Sequence, residues 1–215
     1  MNKYNSKRFF RRIPQVVPRS RSYDNKAMKK SPLKVEVCRI APGQGEIIRS
    51  LVTDSLTDSP NAFPGDPAYV QTVTPESWNQ RSAMASFSMR SAIFVAWIGN
   101  GPAGLAEVHC SPEEDEARIS RLWVHPKFRL YGVGAKLLTV ALTFATETPS
   151  PLARVVLWVT LGNTSAERLY ERAGFRKTGE TRPFREGSEL VQAQYARALN
   201  PPAMTPRINH ETGAL

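Results

Sequence analysis

Leu122-Trp123-Val124-His125-Pro126-Lys127-Phe128-Arg129-Leu130-Tyr131-Gly132-Val133-Gly134 runs from the end of an apolar strand, through a proline-containing turn, into a helix that opens on two glycines. The first amides of a helix find no carbonyl within it, and the aligned peptide dipoles place roughly half a positive charge there. Glycines let a phosphate approach the backbone closely, and Arg129 adds a full charge beside it. The stretch therefore reads as a pyrophosphate cradle. It is not a Walker loop, because no Lys-Ser or Lys-Thr pair follows the glycines, and it lacks the G-x-G-x-x-G dinucleotide fingerprint. Taken alone, it is equally an ordinary strand-to-helix turn.

A second constellation lies downstream, Asn163-Thr164-Ser165-Ala166-Glu167-Arg168-Leu169-Tyr170-Glu171-Arg172-Ala173-Gly174-Phe175. Asn163 suits an N-cap, Ala166 and Tyr170 stand four apart on one helical face, and Gly174 can end the helix. Between the two segments, Val155-Val156-Leu157-Trp158-Val159 is a strand.

Upstream, Leu33, Val35 and Val37 alternate with polar residues as a first strand does, and Ile47, Ile48, Leu51, Val52 and Leu56 recur as one helical face. Residues 59–75 carry four prolines and a glycine and read as an ordered loop. A second helix starts at Pro75-Glu76. Ala92–Ile98 and Gly104–His109 form a hairpin across a glycine-rich turn, and Ala117–Val124 is the strand that enters the cradle. A helix spans about 132–147, and strands follow near Phe175–Lys177 and Leu190–Ala198. Strands and helices interleave without a regular βαβ alternation, so the expectation is an α/β (α+β) fold: a mixed sheet of six or seven strands with about four helices.

Of the 29 lysines and arginines, eleven fall in residues 1–34 beside one acid, Asp24, which leaves residues 35–215 with 18 of each sign. The net charge of +10 thus belongs to an arm, residues 1–32, whose composition predicts disorder. Residues 1–23, rich in arginine and free of acid, also fit a mitochondrial transit peptide; otherwise the expected compartment is the cytoplasm. As a basic tether the arm would attract nucleic acid, weakly and with strong salt dependence. Residues 33–198 form the domain and 199–215 a flexible tail. No apolar run reaches the roughly 18 residues of a spanning helix. Two cysteines (Cys38, Cys110) and three scattered histidines show no metal-ligand spacing, and no metal is expected.

Both segments resemble the signatures of the GNAT superfamily of acetyl-CoA-dependent N-acetyltransferases: L-x-V-x-P-x-x-R-x-x-G-V-G in residues 122–134 and N-x-x-A-x-x-L-Y-E-R-x-G-F in residues 163–175. A weaker likeness extends over about 35–198, and Asp58-Ser59-Pro60-Asn61-Ala62-Phe63 resembles the acceptor-side loop of many bacterial members. The resemblance implies a mostly antiparallel, twisted sheet whose strand ending at Val124 splays from the strand near Val156–Val159 to admit the pantetheine of acetyl-CoA. Leu122, Trp123 and Val124 would meet the pantetheine through the backbone. Arg129, Leu130, Tyr131, Gly132, Val133 and Gly134 would hold the pyrophosphate. Asn163 would hydrogen-bond the pantetheine arm, and Tyr170 would be the general acid that protonates the departing thiolate.

By the same resemblance an amine attacks the thioester directly, and acetyl-CoA is the only co-substrate. Many family members carry a glutamate on the strand leading into the cradle, where this chain has Arg118, Ser120 and Arg121. Glu107, with His109 on the same face of the preceding strand, is the nearest substitute base. That departure leaves room for a catalytically silent acyl-CoA-binding or regulatory domain. The arm leaves room for a nucleic-acid or ribosome-associated module. The acceptor could be a small amine, a polyamine or a protein amine, and the enzyme a monomer or homodimer.

Overall fold

The computed structural model describes residues 34–149 and 152–199; the expectations for the arm of residues 1–32 and for the tail from residue 200 fall outside them. Seven strands form one sheet: β1 Val35–Arg39, β2 Ser91–Ile98, β3 Gly101–Ser111, β4 Glu116–Val124, β5 Arg154–Thr160, β6 Arg176–Pro183 and β7 Val191–Ala198. Their spatial order is β1-β2-β3-β4-β5-β7-β6, antiparallel at every junction except β4–β5. Five helices accompany it: α1 Gly45–Asp58, α2 Pro67–Thr72, α3 Pro75–Phe87, α4 Val133–Thr146 and α5 Thr164–Arg172.

The alternation of each strand divides the apolar residues between two faces. On one face, Phe94, Val108, Ile119, Leu157 and Tyr195 pack with Leu137, Leu138 and Ala141 of α4 and with Tyr170 of α5. On the other, Ile93, Leu105 and Trp123 pack with Ile48, Leu51 and Leu56 of α1 and Trp78 of α3. Trp158 and Thr160 alternate with Leu157 and Val159, so they stand on the face away from α4, as do Gln192 and Gln194 beside Ala193 and Tyr195.

The mixed, mostly antiparallel sheet agrees with the sequence reading; three details differ. The stretch 59–75 contains a helix, α2, because Asp66 caps it by accepting from the Ala68 amide at 2.8 Å and Pro67 occupies its first turn. Proline there begins a helix rather than breaking one. β6 continues to Pro183, well past Lys177, on the strength of pairing with β7 rather than apolar pattern, for all its residues are exposed. Leu199, assigned to the tail, is buried, and its amide bonds the carbonyl of Ala153 at 2.8 Å.

Candidate functional site

The parallel pairing of β4 with β5 stops early. It joins Glu116 to Arg154, Ala117 to Val155 and Arg118 to Val156, and beyond those rows the facing edges have no strand partner. β4 turns away through a bulge: between the pairs Ser120–Glu107 and Trp123–Leu105, two residues of β4 (Arg121 and Leu122) face one of β3 (Ala106), and Arg121 takes φ 47°. A side chain in that left-handed region costs about 1–2 kcal/mol, which the flanking β3 pairing sustains. The parted edges enclose a cleft of about 230 Å³, walled by Leu122 of β4, Trp158 and Thr160 of β5, and Asn163 and Tyr170 at the start and end of α5, with Ala62–Pro64 of the α1–α2 connection at its rim.

The start of α4 lies beside the cleft wall: a Cβ on its Gly134 would stand 3.8 Å from Leu122 Cδ2. Gly132, at φ 76°, caps the helix in a conformation that glycine adopts without strain, and Leu130 precedes it at φ 68°. The amides of Val133, Gly134 and Ala135 have no carbonyl within the helix to bond. Gly134 meets α5 and β4 closely: a Cβ there would stand 3.3 Å from Leu169 Cδ2 and 3.6 Å from Val124 Cγ2. Glycine thus seats the amide-bearing turn against the cleft wall. Leu130 and Tyr131 are exposed.

Arg129 lies three residues before the cap of α4, but its guanidinium turns away. Nε donates to the Val124 carbonyl at 3.1 Å and Nη2 to Asp58 Oδ2. Asp58 also accepts from Trp123 Nε1 at 2.9 Å and Ser59 Oγ at 2.7 Å. Partial burial raises the Asp58 pKa, but the bonds from Ser59, Trp123 and Arg129 outweigh it and hold the carboxyl below its ordinary value. Trp123 is accordingly a buried anchor on the α1 face, with only its backbone beside the splay.

Tyr170 is buried, its ring edge-on to Phe175 at 5.9 Å between centroids, and no group among the described residues hydrogen-bonds its hydroxyl. Burial pushes the phenol above its ordinary value, so it remains a proton donor across the neutral range. Asn163 caps α5 by accepting from the Ala166 amide at 3.3 Å through Oδ1, which leaves Nδ2 as a donor at the cleft.

Glu107 stands apart, in a neighbouring cavity of about 450 Å³ under α3 that also meets His109 and Ser120. Arg81 Nη2 donates to both its oxygens at 2.8 Å, and Arg121 Nε lies 3.1 Å away. Its oxygens are thus engaged by two guanidinium groups, outside the cleft that holds Tyr170. The acidic turn is likewise engaged: Glu113 pairs with Arg90, Glu114 with Arg118, and Glu116 with Arg118 and Arg154. Cys110 is buried, and burial pushes its thiol up, which makes it a poor nucleophile. Among the described residues no group of three or more His, Cys, Asp or Glu could hold a metal ion, and no helix is long and apolar enough to cross a membrane.

Sequence reasoning missed the opposite wall. Thr160, Gln192 and Arg182 form one cross-strand row over β5, β7 and β6. Arg182 Nε donates to Gln192 Oε1 at 3.0 Å, and the guanidinium lies 4.2 Å from the Trp158 ring centroid. Only strand register brings these residues together, and β6 has no apolar period to announce it.

Residues 54–175 match the family model described as the acetyltransferase (GNAT) family. An uncharacterized N-acetyltransferase of Methanocaldococcus jannaschii is 29% identical over 89 residues, a match spanning 39% of this chain and 38% of that relative. An acetyltransferase of GNAT family from Streptococcus pneumoniae superposes with a TM-score of 0.64 at 16% identity, over 77% of this chain and 100% of the other. YncA of Salmonella typhimurium, a structure with its cofactor acetyl-CoA, gives a TM-score of 0.64 at 18% identity, over 79% and 96% of the two chains.

Proposed function

The chain belongs to the acetyltransferase (GNAT) family, and from that premise we propose that it is an enzyme that carries the acetyl group of acetyl-CoA directly to an amine. The observation that carries the reading is the parting of β4 from β5 beyond Arg118 and Val156, with α4's unbonded amides next to Leu122 of its wall and Tyr170 within. Acetyl-CoA fits this shape chemically. Its pantetheine amides suit the unpaired strand edges, and its pyrophosphate suits Leu130–Ala135. Asn163 Nδ2 offers a further donor to the pantetheine arm.

In this reading the amine nitrogen attacks the thioester carbonyl carbon, and the carbon–sulfur bond breaks. The sulfur takes its proton from the Tyr170 hydroxyl, giving free CoA thiol and the amide. A proton lost from the acetylated nitrogen restores the phenol. A thiol with pKa near 8.5 accepts readily from a phenol only while the sulfur carries charge, so the transfer is confined to the moment of departure. The nucleophile must be neutral. No carboxylate lines the cleft and Arg182 lines it without an acidic partner among the described residues, so an ammonium entering it finds no counter-charge and is favoured to release its proton to solvent. The absence of a lining glutamate is thus compatible with turnover.

Thiol release from acetyl-CoA on addition of amines, beside calorimetric titration of acetyl-CoA, tests the reading. Amine-dependent thiol release with saturable acetyl-CoA binding supports it. Binding without turnover on any amine favours a silent acyl-CoA-binding domain, and no binding refutes both.

A further inference from the structure

Three arginines and no acidic side chain line the cleft, although the domain as a whole is balanced in charge. Two of the three are already compensated: Arg118 pairs with Glu114 and Glu116, and Arg121 with Glu107. Arg182 pairs with no carboxylate among the described residues. Its Nε donates to Gln192 Oε1 and its guanidinium carbon lies over the Trp158 ring, so the two Nη groups are left as a fork of donors. The rest of the row adds donors. Gln192, 3% exposed, spends its oxygen on Arg182 and keeps its NH2, and Thr160, 6% exposed, has a hydroxyl with no hydrogen-bond partner. Burial, and then the nearby Arg118 charge, pull the Arg182 guanidinium below its ordinary pKa, so an unfilled site pays for holding it.

Resting on the acetyl-transfer reading above, we propose that the acceptor is an amine that also bears an anionic group, a carboxylate or a phosphate, which docks on Arg182 beside Gln192 and Thr160. A forked guanidinium recognises either oxyanion through two parallel hydrogen bonds. An acceptor of this kind arrives anchored by one end. A polycationic acceptor gains no such anchor.

The test uses the full chain and thiol release from acetyl-CoA, with a panel of L-amino acids each beside its amide, plus phosphoethanolamine and spermidine. The expected result is that the best acceptor is anionic, with the amino acids ahead if the group is a carboxylate and phosphoethanolamine ahead if it is a phosphate. Replacing the oxyanion by a neutral group should lower kcat/KM by about 10- to 100-fold. Arg182→Gln should erase that preference by raising KM for the anionic acceptor, Arg182→Lys should restore part of it, and calorimetric affinity for acetyl-CoA should hold in both. Amides or spermidine that equal or exceed the acids in the wild type overturn the proposal and leave acetyl transfer standing. So does a preference that survives Arg182→Gln. Failure of the underlying reading looks different: no amine releases thiol and acetyl-CoA does not bind.

Discussion

Tyr170→Phe removes one oxygen from the cleft and little else. The ring keeps its edge-on contact with Phe175 at 5.9 Å, and the lost hydroxyl has no hydrogen bond within the described residues to forfeit. Stability should therefore move by less than about 1 kcal/mol, and acetyl-CoA affinity should change little. The rate should not be spared. General acid catalysis contributes about 100- to 10,000-fold, equivalent to about 3–5 kcal/mol of barrier, and the departing thiolate would have to take its proton from water instead. The assay is single-turnover thiol release at saturating acetyl-CoA and acceptor, beside a melting curve of each protein. The pH profile adds a second reading. Because burial raises the phenol above its ordinary pKa near 10, wild-type turnover should rise as the acceptor amine deprotonates and show no descending limb below about pH 10. A kcat within threefold of wild type, with the melting temperature unchanged, would refute the general-acid role and leave the fold untouched.

Two further perturbations separate anchoring from chemistry. Glu107→Gln should lower kcat by less than about tenfold, since the carboxylate lies outside the cleft and its oxygens are engaged by Arg81 and Arg121; it should cost about 2 kcal/mol in chemical denaturation for the lost charge-assisted bonds. A loss of about 100-fold or more in kcat with stability intact would make Glu107 the base after all. Asp58→Asn tests the anchor beneath Arg129. The Asp58 carboxyl is held below its ordinary pKa, so its contribution to stability is fully present above about pH 4, the unfolded value, and is lost as pH falls through the lower folded value. The wild type should therefore melt higher than the variant by a constant margin at pH 5–7, and the margin should shrink below about pH 4. A margin independent of pH down to pH 2 would contradict that assignment.

Local chemistry written in consecutive residues was legible from the sequence; chemistry assembled by register was not. Gly132 at the start of α4, Asn163 as a cap and Gly174 after α5 all act within a turn or two of themselves, and their elements stand where the pattern placed them. Arg129 shows the limit even there. Its charge beside the cradle was legible, but its hold on Asp58, 71 residues away in sequence, was not. The bulge at Arg121 carries no glycine to mark its positive φ. Arg182 sits on a strand exposed throughout, where no alternation exists to be read, and its place above Trp158 follows only from the β5-β7-β6 order. A polar side chain that meets its partners across three strands leaves no periodic trace.

A crystal structure of the chain grown with CoA puts the account to its sharpest trial. The account predicts pantetheine lying between the parted edges of β4 and β5, its pyrophosphate oxygens within hydrogen-bond reach of the amides from Leu130 to Ala135, and its sulfur beside the Tyr170 hydroxyl. CoA seated elsewhere on the protein, or β4 and β5 zipped together beyond Arg118 and Val156 with side chains filling the gap, would contradict it.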